Sequence, residues 1–163
     1  MSFGDPLVGQ IAAFLRSIGI EVRGGTVTGD TTLPGIDIDH GALIVDEERL
    51  LYPGDLLHEA GHLAVAPPQT RAALVHDVGK DGAEEMMAIA WSYAAALHLK
   101  IDPAIVFHEH GYRGGSQSIL DAMPNEGIGV PMLQWLGMTF DRKRAPDAGV
   151  PPFPHMVRWL REA

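Results

Sequence analysis

Apolar and polar positions recur along this chain with two periods, and the changes between them mark its elements. Leu7, Ile11, Phe14 and Leu15 fall at helical spacing. Asp5-Pro6 supplies a cap and a first helical residue ahead of them, and Gly19 supplies a stop. The period then shortens to two. Ile20-Glu21-Val22 alternates, Gly24-Gly25 breaks the run, and Thr26-Val27-Thr28 reads as a second short strand. Residues 30–35 read as loop; Ile36-Asp37-Ile38-Asp39 alternates again, His40-Gly41 suits a hairpin turn, and Ala42-Leu43-Ile44-Val45 is a strand. These segments predict a small antiparallel sheet.

Helical spacing returns from about residue 53 to 66, with Pro53 at the first helical position, Asp55 in the first turn and Pro67-Pro68 closing the element. Residues 69–76 form a short helix or ordered loop before the polar break Gly79-Lys80-Asp81-Gly82. From Ala83 to Lys100 the chain is apolar nearly all round, so this second long helix belongs at the centre of the fold. Its small residues Ala88, Ser92 and Ala95 offer a narrow face to the helix at 53–66. Asp102-Pro103 starts a helical segment through Phe107; short helices follow at about 116–123 and 129–138, then an irregular proline-rich stretch over 145–154 and a final helix near 155–162. With no repeat and no boundary, residues 1–163 read as a single α+β domain, mostly helical.

The helix at 53–66 carries His58-Glu59-Ala60-Gly61-His62, an H-E-x-x-H pattern. Residues four apart on a helix share a face, so both imidazoles can point at one ion. Glu59, one step round, flanks that ion and can take a proton from a water bound to it. Leu56, Leu57, Leu63 and Val65 bury the helix, while Ala60 and Gly61 leave room for another element to approach.

Composition narrows the chemistry. The chain has no cysteine, which excludes disulfides and thiolate ligands and leaves His, Asp or Glu to hold a metal. A formal charge of −9 argues against nucleic acid as a partner, since the short Arg142-Lys143-Arg144 cluster is too small a footprint. The N-terminal residues lack a basic, then apolar, leader, and no apolar run approaches the length of a membrane span. The expectation is a cytoplasmic protein with no membrane partner.

Two histidines need a third protein ligand. A third histidine six residues after the second is excluded, because Pro68 stands there, and Val65 replaces the glycine that accompanies that arrangement. The remaining common solution is a carboxylate from a second helix. Glu84 and Glu85, at the head of the long apolar helix, both qualify, although acidic residues in a first turn also stabilise a helix without any metal.

At this point the chain resembles the ImmA/IrrE group of gluzincin-type metallopeptidases. The resemblance is carried by Ala42-Leu43-Ile44-Val45-Asp46, by His58-Glu59-Ala60-Gly61-His62, and by Glu85-Met86-Met87-Ala88-Ile89-Ala90-Trp91-Ser92, and spans roughly residues 36 to 97. It implies a zincin-like fold, with a small sheet preceding an active-site helix packed on a second long helix. It also implies a Zn2+ ion held by His58, His62 and Glu85, with Glu59 as general base. Glu85 is preferred over Glu84 because Ala88 and Trp91 then fall three and six residues later, where the group has Ala and an aromatic residue. The second helix ends Leu97-His98-Leu99-Lys100, where the group often has a leucine pair and Met-Pro, and no helix-turn-helix module is recognisable.

Outside the motif, His108-Glu109-His110-Gly111-Tyr112 is the next most chemical stretch. Tyr112 or His108 (or His110) could donate to an oxyanion, and the flanking glycines suit a loop over a cleft. Asp77 could orient a ligating imidazole. His40 reads as a turn residue, and Met132, Trp135, Leu136 and Trp159 as core or subunit contacts. The expected function is a zinc-dependent hydrolase of peptide or protein substrates. The alternative is a metal-binding or regulatory protein that keeps the fold without turnover. Sequence does not specify the oligomeric state.

Overall fold

The computed structural model describes residues 3–79 and 81–163. Asp5 caps α1 (Pro6–Ile18), accepting from the Leu7 N–H, and Gly19 ends it in the left-handed region at φ 104°. Of the predicted stripe, Ile11, Phe14 and Leu15 are buried, whereas Leu7 is only partly so and Val8 takes the core position beside it.

Three strands follow, β1 (Val22–Gly24), β2 (Ile36–Asp39) and β3 (Ala42–Val45), in the spatial order β1-β3-β2. β2 and β3 form the expected hairpin about His40 and Gly41, both at positive φ. The sheet is nonetheless mixed and not antiparallel throughout, because β1 pairs parallel with β3. β1 and β2 run in opposite directions and β3 lies between them, so one edge of β3 has to be parallel. Thr26–Thr28 is not a strand. The Val27 N–H is taken by Asp46 Oδ2 (3.0 Å), which ties the segment down as a loop.

The motif helix α2 spans Asp55–Val65, two residues later than Pro53 suggested. Gly54 just ahead of it lies against the backbone of α5 (Pro103–Val106), where a Cβ would stand 2.1 Å from the Ile105 carbonyl oxygen. A short α3 (Pro68–Ala73) leads to α4 (Gly82–His98), which Asp81 caps through the Ala83 and Glu84 N–H groups. α4 stops at His98, short of Lys100, which has turned to φ 58°. Its buried run from Ala88 to Ala96 makes it the central helix, as its all-round apolarity predicted.

α2 and α4 touch where their side chains are smallest. A Cβ on Gly61 would stand 2.9 Å from the Ala88 carbonyl oxygen and 3.2 Å from its Cα. Gly61→Ala should gain about 1 kcal/mol of helix propensity yet lose about 1–3 kcal/mol to overpacking against backbone that cannot yield. The expected result is a lower urea midpoint at unchanged slope; a raised midpoint would show that the helices can part cheaply.

α6 (Ser116–Ala122), α7 (Val130–Trp135) and the single turn α8 (Ala145–Ala148) complete the helices, α8 lying within the stretch expected to be irregular. Gly129, at φ +95°, brings α7 onto α4: its Cβ would stand 2.2 Å from the Met86 carbonyl oxygen. The predicted helix over 155–162 does not form. Its N–H groups are taken by other elements, Val157 bonding the Met138 carbonyl and Arg161 the Ala64 carbonyl, while Met156 bridges Thr139. Trp159 still joins the core, edge-on to Phe14 and Trp91, and accepts the Trp91 indole N–H at its carbonyl (2.9 Å). Trp135 does not: it is 89% exposed. Among the described residues no helix is long and apolar enough to cross a membrane.

Candidate metal centre

The contact between Gly61 and Ala88 fixes how the motif meets the acidic head of α4. His58 lies three residues before Gly61 and Glu85 three before Ala88, so both face the same gap. The Glu85 carboxylate reaches both histidines there, Oε1 standing 3.3 Å from His58 Nε2 and Oε2 2.6 Å from His62 Nε2. Each of the three offers a donor atom within 4.8 Å of the others, an arrangement that can hold a metal ion.

The opposite edges of both rings are also engaged. His62 Nδ1 lies 3.1 Å from Glu84 Oε1, and His58 Nδ1 lies 3.0 Å from the Tyr112 hydroxyl. Oxygen acceptors at both Nδ1 atoms would keep the protons there were the two Nε2 atoms to ligate an ion. Two histidines and one glutamate are a zinc-type donor set, and tetrahedral bonds of about 2.0–2.1 Å place neighbouring ligand atoms about 3.3 Å apart. The His58–Glu85 separation already has this value. The His62–Glu85 pair is at hydrogen-bond distance and would have to open by about 0.7 Å, the difference between 3.3 and 2.6 Å, to reach the spacing of tetrahedral ligands. The residues present fit such an ion.

Electrostatics divide the carboxyl groups. Hydrogen bonds from His58 and His62 hold Glu85 well below the usual carboxylate range, against the opposing effect of burial. Burial lowers the His62 imidazole, but its bonds to Glu85 and Glu84 outweigh this and leave it raised. Glu59 is buried next to these groups, and burial raises its carboxyl despite the countering charges of His58 and His62. A carboxylate made more basic by its surroundings is suited to accept a proton.

Tyr112 and His108, both expected to serve as donors, are placed differently. Tyr112 sits at φ 57° beside Arg113 at φ 53° and Gly114 at φ 79°, a left-handed run that turns its ring edge-on to His58. Burial and the Asp55, Glu85 and Glu59 carboxylates push its phenol up, so it remains a neutral donor. His108 is instead committed through Nε2 to Asp55 Oδ1 (2.8 Å) and stacks on Tyr52 with centroids 4.0 Å apart. Burial raises the Asp55 carboxyl, its bond to His108 notwithstanding.

Sequence reading did not anticipate the Asp55–His108 pair. By its place in the first turn Asp55 complements the helix dipole, and only the fold brings residue 108 to residue 55. Nor did it anticipate that Glu84 and Glu85 divide the two edges of His62, although two adjacent glutamates in one turn were a signal for it. Asp77 is not at the site: it accepts the Gly79 N–H, and its neighbour His76 faces Asp37 on the surface. His110 is exposed beside Glu109.

No protein-family model matches the chain, and no curated protein or solved structure matches it.

Proposed function

We propose that this chain is a metal-dependent hydrolase of amide bonds in peptides, built on a zincin-like arrangement of α2 and α4 and akin to the ImmA/IrrE group. The observation that carries this reading is the convergence of His58 Nε2 and His62 Nε2 on the Glu85 carboxylate, with Glu59 buried one residue along the same helix. His58, His62 and Glu85 would hold the ion; zinc suits the donor set best. When bound, the ion polarises the scissile carbonyl and acidifies a water.

The remaining work falls to side chains of this protein. Glu59 accepts the proton from the attacking water and delivers it to the leaving amine, so the carboxylate is regenerated in each turnover. Tyr112, at the edge of His58 opposite Nε2, is better placed to orient that imidazole than to meet a developing oxyanion. Its oxygen can accept from His58 Nδ1–H, whereas His108 Nε2 is occupied by Asp55. Tyr112→Phe should therefore weaken metal affinity about 10- to 100-fold, measured by competition with a chromogenic chelator. An unchanged affinity would show that the hydroxyl does not orient His58.

Elemental analysis of the protein purified without chelator, beside His58→Ala, tests the site. The expected result is about one zinc per chain, lost in the variant, and zinc-dependent cleavage of a fluorogenic peptide mixture. No metal in either protein, even after zinc is added back, would overturn the reading. One metal per chain without cleavage of any peptide would favour a metal-binding protein that does not turn over.

A further inference from the structure

The C-terminal end of α2 is gripped by two arginines. Arg71 donates through Nε to the Leu63 carbonyl (2.7 Å), and through Nη2 to the carbonyls of Ala64 (3.2 Å), Ala66 (3.1 Å) and Arg161 (2.9 Å). Arg161 reaches the Val65 carbonyl through Nη1 (3.2 Å) and the Ala163 oxygen through Nε (2.8 Å). These bonds satisfy carbonyls that a helix end leaves bare. The α2 acceptors carry only the partial charge of the helix end, about half an electron, which offsets less than one of the two cations.

A third guanidinium lies beside them. Arg158 Nε is 3.2 Å from Glu162 Oε1 in a pair that is roughly half exposed or more on both sides. Arg71, Arg158 and Arg161, with Trp159, Pro68 and Glu162, line an open surface cavity of about 530 Å³ that is largely exposed to solvent. Three cationic side chains thus face one anionic side chain, in a protein whose formal charge is −9. Burial, and then the nearby Arg161 charge, hold the Arg71 guanidinium below its usual range. Among the described residues, Arg71 Nη1, Arg161 Nη2 and both Nη groups of Arg158 make no hydrogen bond.

We propose that this cavity is a binding site for a small oxyanion, a phosphate or carboxylate group of a small molecule, held by Arg158 and the unused donors of Arg71 and Arg161. Guanidinium forks match such oxygens two at a time. The cavity is open to solvent, so it would hold the anionic group while leaving the rest of a small molecule exposed. The site lies at the C-terminal end of α2, and His58, His62 and Glu85 are not among the residues that line it.

The test is calorimetric titration of pyrophosphate and of citrate into metal-depleted protein dialysed free of chelator, at constant ionic strength. Metal depletion prevents either anion from binding through an ion held by His58, His62 and Glu85. One saturable site per chain is expected, and whichever anion binds more tightly identifies the source of the group. Arg158 donates nothing to α2, so Arg158→Glu should keep the fold and weaken binding by about tenfold or more. Glu162→Gln removes the opposing carboxylate and should tighten binding a few-fold, roughly two to five; it also serves as the test if Arg158→Glu does not fold. No saturation by either anion up to about 10 mM, a range that covers weak small-ligand affinities, would overturn the proposal. So would equal affinity in wild type and both variants.

Discussion

Glu59→Gln is expected to keep about one metal per chain while hydrolysis falls about 10²- to 10⁴-fold, the range that a general base commands. The amide is nearly isosteric with the carboxylate, so the buried space beside His58 and His62 stays filled, and Glu59 is not one of the three groups that converge. What the substitution removes is the ability to accept a proton. It also removes a negative charge that burial already opposes, so the variant should be no less stable than the parent. Metal content and peptide cleavage measured on the same preparations decide the matter. Loss of metal together with activity would place Glu59 among the ligands, whereas full activity with metal retained would refute its role as base.

Trp91→Ala should cost about 3–5 kcal/mol, the range for removing a large aromatic side chain from a packed core. Trp91 is fully buried, its centroid 6.3 Å from that of Phe14 and 5.5 Å from that of Trp159. Among the described residues, it is also the one side chain whose hydrogen bond ties α4 to the non-helical C-terminal segment, through the Trp159 carbonyl. Its loss leaves a cavity and an unpaired carbonyl together. For a domain of this size the melting temperature should fall by roughly 6–20 °C, taking about 2–4 °C per kcal/mol. A fall of less than about 2 °C, under 1 kcal/mol by the same relation, would mean that α1, α4 and the C-terminal segment close over the gap. Trp91→Phe should recover part of the loss, since it refills space without restoring the bond.

Both expectations depend on features that were legible to different degrees before the fold was known. The H-E-x-x-H spacing, the all-round apolarity of residues 83–100 and the small residues Gly61 and Ala88 are local patterns, and each produced the local structure it predicted. The sheet was half legible. The hairpin of β2 and β3 follows from alternation around His40-Gly41, but the parallel pairing of β1 depends on β3 entering between β1 and β2, which no local pattern encodes. Residues 155–162 show the same limit: their apolar spacing suits a helix, yet their N–H groups find partners in Met138 and Ala64, far off in the chain.

The site divides along the same line. Sequence alone determined that His58, Glu59 and His62 share one helix, because a helical repeat places residues four apart on one face. It also narrowed the third ligand to His, Asp or Glu, because the chain has no cysteine, and pointed to a carboxylate from a second helix because Pro68 stands where a third histidine would follow. The tertiary structure decided which carboxylate faces the gap. Gly61 against Ala88 sets the register of α2 on α4, and that register turns Glu85 toward both Nε2 atoms and Glu84 toward the back of His62. It likewise separated Tyr112, at His58, from His108, at Asp55, four residues apart in sequence and indistinguishable there by type. The physical reason is that helical periodicity fixes directions within one element, whereas the distance between two elements is fixed only where their backbones meet.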